Sequence, residues 1–157
     1  DHESSIMTPE LVSTVVDTPV GALTIVATDA GVRAILWPDD DPARVRLSAA
    51  TERPDHPVLV ATVDQLGEYF AGARQEFDQP LDAVGTDIQR SAWSALRTIA
   101  VGTTVTYGEQ AARMGDRRKA PAGGAANGRN PINIVVPGHR VVGSNGALPG
   151  FAGGVDT

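Results

Sequence analysis

"IVVPGHRVVG" runs from Ile134 to Gly143. A short apolar stretch meets Pro137, and then Gly138, His139 and Arg140 stand in a row before the chain turns apolar again. The pattern predicts a buried strand, "INIVV", that ends in a turn at Gly138, with His139 available for acid or base work at its mouth. At the centre of that turn, where a reactive side chain is expected, there is a glycine.

The 157-residue chain contains no cysteine. That excludes disulfides, thiolate metal sites and cysteine nucleophiles. Its three histidines, His2, His56 and His139, lie far apart with no metal-ligand spacing, so no metal and no other cofactor is expected. No run is long and apolar enough to span a bilayer, and "DHESSIMTPE" lacks the basic and apolar parts of a secretory signal. The expected location is the cytoplasm, with no membrane partner. The net charge of −6 is unevenly spread. Residues 1–85 hold 15 acids and 5 arginines, whereas residues 86–157 hold 4 acids and 8 basic residues. A basic second half is consistent with an anionic partner such as nucleic acid, and equally with ordinary surface variation.

Before the turn, "LVSTVVDTPVGALTIVATDAGVRAILWP" reads as three antiparallel strands between Val12 and Trp37, with "TPVG" and "TDAG" as turns. "DDDPARVR" reads as a polar link. Pro57 opens a helix in which Leu59, Val63, Leu66 and Phe70 fall at helical spacing. "QEFDQPLDAVG" is an extended linker. Thr86 caps a second helix with Ile88, Ala92, Ala95 and Ile99 on one face. "GEQAARMG" is a short helix closed by Gly115, and "DRRKAPAGGAANG" supplies the next, so the pair forms a helix-turn-helix. The fold class is α/β (α+β): a small N-terminal domain with an antiparallel sheet and a helix, residues 11–83, and a C-terminal helical domain, residues 85–157.

The second half resembles the O6-alkylguanine-DNA alkyltransferases. The matching stretches are "GTDIQRSAWSAL" (85–96), "GTTVTYGEQAA" (102–112), "AANGRNP" (125–131), "VPGHRVVGSNG" (136–146) and "LPGFAGG" (148–154). "TPVGALTIVATDAGVRAI" (18–35) and "LGEYFAGARQEFDQPLD" (66–82) extend the likeness more loosely through the first half. The resemblance implies DNA repair by transfer of an alkyl group from a flipped guanine to the protein's own cysteine, with the helix-turn-helix in the minor groove. The family's motif is Pro-Cys-His-Arg; here Pro137, Gly138, His139 and Arg140 stand in those places. Gly138 therefore occupies the position of the nucleophile, and His139 is either a surviving acid or base or a relic.

The resemblance also assigns Tyr107 to the phosphate and base, Asn130 to the tie between the helix-turn-helix and the turn, and Pro137, Val141 and Phe151 to the ligand pocket. Phe151 keeps a ring where a tyrosine is common. The family's carboxylate behind the histidine lies on a helix after the glycine pair, and the sequence ends at Thr157, three residues past Gly154. The arginine that replaces the flipped base in the stack aligns with Pro121, and Gly123 and Gly124 follow, which predicts a weak or shortened helix. Arg117, Arg118 and Lys119 are candidate phosphate contacts, or a solvated turn.

Three readings follow. The first is an alkyltransferase-like protein that binds alkylated guanine in double-stranded DNA without transfer activity. The second is a family member that binds or acts on a small molecule in the vacated pocket. The third is a repair alkyltransferase inactivated by a cysteine-to-glycine change. The oligomeric state is not legible.

Overall fold

The computed structural model of the protein describes residues 10–41, 44–45, 47–100 and 102–142. The predicted meander forms, with β1 at Val12–Thr18, β2 at Gly21–Thr28 and β3 at Gly31–Leu36 paired antiparallel in succession. A two-residue β4, Thr51–Glu52, adds parallel to β1, giving the order β3-β2-β1-β4. The first turn is closed by Thr18, whose Oγ1 donates to the Gly21 carbonyl at 2.8 Å and accepts from the Val20 N–H at 3.2 Å. Helix α1, Pro57–Phe70, begins with proline in its first turn, where the missing N–H costs nothing. It buries Leu59 and Leu66 in one core with Leu23 and Ile25 of the sheet and Trp37 just past β3.

An uncovered β3 edge would leave a row of backbone groups open to other chains. Two later segments cover it. The Val32 N–H donates to the Pro80 carbonyl at 2.9 Å and the Asp82 N–H to the Val32 carbonyl at 2.8 Å. Farther along, the Ile35 N–H donates to the Pro131 carbonyl at 2.8 Å, and the Asn133 Nδ2 to the Ile35 carbonyl at 2.6 Å. The stretch predicted as a linker is thus a strip laid along the sheet. Asp82 pins it: its carboxylate accepts from Thr28 Oγ1 at 2.5 Å and from Arg33 Nη2 at 3.0 Å. Because the second half docks on the same edge, one core runs from Ile25 and Ile35 through Trp93 and Leu96 to Ile132 and Val141.

Helix α2, Asp87–Leu96, carries the predicted Thr86 cap, reinforced by Gln89 as a capping box. Ala92, Ala95 and Ile99 are buried as expected, but Ile88 is 39% exposed. After β5 (Val105–Thr106) come α3, Tyr107–Arg113, and α4, Ala120–Asn127, joined through a 3₁₀ turn at Arg117–Lys119. These are the helix-turn-helix. Gln110 and Asn127 lock the two helices by exchanging amide hydrogen bonds at 2.8 and 2.9 Å, and the Trp93 indole N–H donates to the Ala126 carbonyl at 2.9 Å.

Helix α4 is short, as expected, yet its glycines have a packing role that composition alone does not reveal. A Cβ on Gly123 would lie 3.3 Å from Met114 Sδ, and one on Gly124 would lie 3.2 Å from Tyr107 Cε1. Bare backbone lets α4 sit directly on α3.

The strand expected at "INIVV" does not form. Ile132 makes one isolated bridge to Ile35, and residues 133–135 turn back on themselves. Val135 N–H donates to the Asn133 carbonyl at 2.8 Å and Val136 N–H to the Ile132 carbonyl at 2.9 Å, while Ile134 takes a φ of 71°. A continuous buried run has no alternation to separate strand from coil, and the Asn130 side chain, bonded to the Ile132 N–H and the Val136 carbonyl, draws the backbone into turns. A short strand, β6 (Val141–Val142), pairs parallel to β5 instead.

Gly31 is the tightest point of the docked strip. It has a φ of 155°, and a Cβ there would lie 2.5 Å from the Pro80 carbonyl oxygen. Gly31→Ala should lower the unfolding free energy by about 2 kcal/mol or more, read from urea denaturation of the two proteins.

Candidate functional site

The site is built on Asn130. Its Nδ2 donates to the Val136 carbonyl at 2.7 Å and its Oδ1 accepts from the Ile132 N–H at 3.0 Å, so one buried amide closes the loop that leads into Gly138. The backbone then makes a 3₁₀ turn at Gly138–Arg140 and enters β6. Arg140 donates from Nη1 to the Ile99 carbonyl at 2.6 Å, the structural role expected of a part-buried arginine.

The N-terminal half contributes a second support. Arg44 Nη1 donates to the Asn130 carbonyl at 2.5 Å, while its Nε and Nη2 grip the two Asp40 oxygens at 2.7 and 2.6 Å. Both side chains are buried, Arg44 10% and Asp40 6% exposed. Burial alone would raise the Asp40 carboxyl; hydrogen bonds from Arg44 and the Trp37 N–H, with the Arg44 charge, outweigh it and hold the group below its ordinary 3.8.

A cavity of about 60 Å³ lies between the halves, lined by Gly138, His139 and Asn130 on one side and by Trp37, Arg44 and Tyr69 on the other. The Trp37 indole nitrogen is buried without a partner among the described residues. His139 is half-buried, and desolvation, helped by the nearby Arg140 charge, lowers its pKa below 6.5. Its imidazole is therefore neutral at pH 7 and able to accept a proton.

The expected site residues do not all converge. Asn130, Gly138 and His139 share the cavity. Pro137 lines a neighbouring cleft with Arg97 and Arg140. Val141 is fully buried in the core beside β5. Tyr107 stands at the start of α3 with its ring over Gly124; burial raises its hydroxyl above the ordinary 10.0. Phe151 lies outside the described residues.

Arg117 and Arg118 are exposed and Lys119 partly so, all on the turn between α3 and α4. Arg118 pairs with Asp116 at 3.0 Å and is 91% exposed. The Arg117 guanidinium lies over Gly108, where a Cβ would be 3.1 Å from its Nη1. Among the described residues no group of three or more His, Cys, Asp or Glu could hold a metal ion, and no helix is long and apolar enough to cross a membrane.

Comparison with known proteins agrees with this arrangement. Residues 11–83 match the family model for the 6-O-methylguanine DNA methyltransferase ribonuclease-like domain, and residues 87–157 match that for its DNA binding domain. A methylated-DNA–protein-cysteine methyltransferase of Mycolicibacterium paratuberculosis is 45% identical over 143 residues, covering 90% of this chain and 84% of the relative. The chain belongs to the methylated-DNA–protein-cysteine methyltransferase family. A relative from Shigella flexneri is 40% identical over 146 residues, covering 88% of this chain and 85% of its own. The solved structure of Mycobacterium tuberculosis OGT in complex with DNA superposes with a TM-score of 0.80 at 39% identity, over 93% of this chain and 86% of that one.

This methyltransferase family comprises DNA-repair proteins that bind DNA, and the present member has no cysteine to accept an alkyl group. Sequence reasoning missed Trp37, Asp40, Arg44 and Tyr69, which bring the N-terminal half to the site. The one usable signal was the opposite charge of Asp40 and Arg44 four residues apart, inside a segment read as a polar link.

Arg44→Leu should cost about 3–5 kcal/mol of stability at pH 7, because it strands the buried Asp40 carboxylate. The Asp40 pKa is depressed in the fold, so its contribution is present above the unfolded value of 3.8 and fades as pH falls through the folded one. The gap between the two proteins should accordingly narrow in urea titrations run at about pH 3.

Proposed function

We propose that this protein binds double-stranded DNA carrying an alkylated guanine and takes none of the alkyl group onto its own chain. Gly138 is the observation that carries this reading. It stands in the family's acceptor position within a turn braced by Asn130 and Arg44, and it has no side chain to alkylate. Dealkylation of an aryl ether at neutral pH needs a soft nucleophile, which a thiolate supplies and glycine does not. The match of residues 87–157 to a DNA binding domain, the intact helix-turn-helix and the basic turn at Arg117–Lys119 support binding. Phosphate contacts from that turn would position the duplex, and the alkylated base would leave the stack to reach the turn at Gly138. Pro121, exposed in the first turn of α4, has no long side chain to fill the gap in the stack, so affinity should be modest.

A second reading has its own support. The Trp37 N–H, unpartnered among the described residues, and the cavity at Gly138 suit a small acceptor-bearing ligand.

Titration of duplexes with and without O6-methylguanine at two salt concentrations separates the two. The first reading predicts tighter binding to the methylated duplex and loss of affinity with salt. Changing Arg117, Arg118 and Lys119 together to alanine should weaken binding and flatten the salt slope by up to about one unit per lost phosphate contact. Intact mass after incubation of the unaltered protein with O6-benzylguanine should show no adduct. Equal binding to both duplexes, or a stoichiometric mass gain, would overturn the first reading.

A further inference from the structure

Nothing in the backbone requires glycine at position 138. Its φ is not positive, and among the described residues a Cβ built there would meet, apart from its chain neighbours, only Asn130 Nδ2 at 3.7 Å, an ordinary contact. The room a side chain would fill is therefore open. It borders Asn130, and Asn130, Gly138 and His139 all line the cavity of about 60 Å³. Methanethiol is a cysteine side chain cut at the Cα–Cβ bond, so a space suited to that side chain suits a free thiol of the same size.

The cavity is also chemically equipped. Trp37 lines it and has a buried indole N–H without an acceptor among the described residues. His139 lines it on the other side. Burial, helped by the nearby Arg140 charge, favours the neutral imidazole, the form that takes up a proton.

We propose that a small exogenous thiol occupies the space in front of Gly138 and accepts the alkyl group that the missing cysteine would take, which makes the protein a turnover catalyst. The proposal rests on the reading that this fold presents alkylguanine to position 138. The thiol gives its proton to the His139 imidazole. Its sulfur then attacks the alkyl carbon; the C–S bond forms as the bond to O6 breaks, and the electron pair stays on guanine. His139 returns the proton to the guanine anion, so no oxidant or reductant is consumed. The products are a thioether and guanine. No residue is alkylated, and the site is free for another cycle.

The test mixes the unaltered protein with free O6-benzylguanine and either methanethiol or glutathione, and follows benzyl thioether and guanine by liquid chromatography with mass detection. With methanethiol, thioether should exceed the amount of protein, form at least about tenfold faster than without protein, and saturate with thiol. Glutathione carries its thiol on a bulky tripeptide, so the protein should accelerate it less than methanethiol. Gly138→Val, which fills the space, should return methanethiol to the protein-free rate, with thermal unfolding checking that the variant is folded. Should it not fold, Gly138→Ala, whose Cβ has room, should lower the rate instead. Thioether formation no faster than in buffer, equal acceleration with glutathione, or full activity in a folded Gly138→Val or Gly138→Ala variant would overturn the proposal. Duplex binding without thioether would overturn it while leaving the DNA reading in place; thioether formation without duplex binding would do the reverse.

Discussion

The Asn130 side chain makes its hydrogen bonds inside its own loop, to the Ile132 N–H and the Val136 carbonyl, while its backbone carbonyl accepts from Arg44. Those three contacts hold an irregular, buried stretch of chain where a strand would otherwise supply the bonds. A buried backbone group without a partner costs as much as a lost hydrogen bond, so the loop needs such an amide at its start. The position of Gly138, the cavity beside it and the approach of the N-terminal half all depend on it. Asp40 and Arg44 extend the same network into the first domain, and the β3 edge anchors it again through Pro131 and Asn133.

Much of the architecture was legible in the residues. The meander was marked by its many valines and threonines and by two glycine-bearing turns, and the helices by Pro57, Thr86 and their apolar spacing. These signals are local, and local chemistry decides them. The "INIVV" stretch misled because every residue in it is buried, which erases the period that tells strand from turn. The linker misled for a different reason: its extended conformation was foreseen, but its partner, the edge of β3, is some fifty residues away in sequence. Gly123 and Gly124 looked like helix breakers until Met114 and Tyr107 were seen against them. At the site, Gly138, His139 and Asn130 could be found from their motif, whereas Trp37 and Arg44 could not, since no sequence spacing links residue 44 to residue 130.

What remains at the site is a scaffold without its acceptor. The turn is braced, the imidazole is kept neutral by burial and by a neighbouring positive charge, and the space for a side chain is open. The basic turn and the amide pair that locks the helix-turn-helix lie on elements other than the turn at Gly138. Glycine does little to the fold here. It changes what the cavity can hold.

The central claim is that position 138 is an acceptor position from which only the side chain is missing, and Gly138→Cys tests it most directly. The variant, incubated with free O6-benzylguanine and examined by intact mass, should gain one benzyl group per chain. It should react faster with the free base than with a methylated duplex, because Pro121 gives base flipping no support. A folded variant whose thiol reacts with an ordinary thiol reagent, yet takes up no benzyl group, would contradict the account.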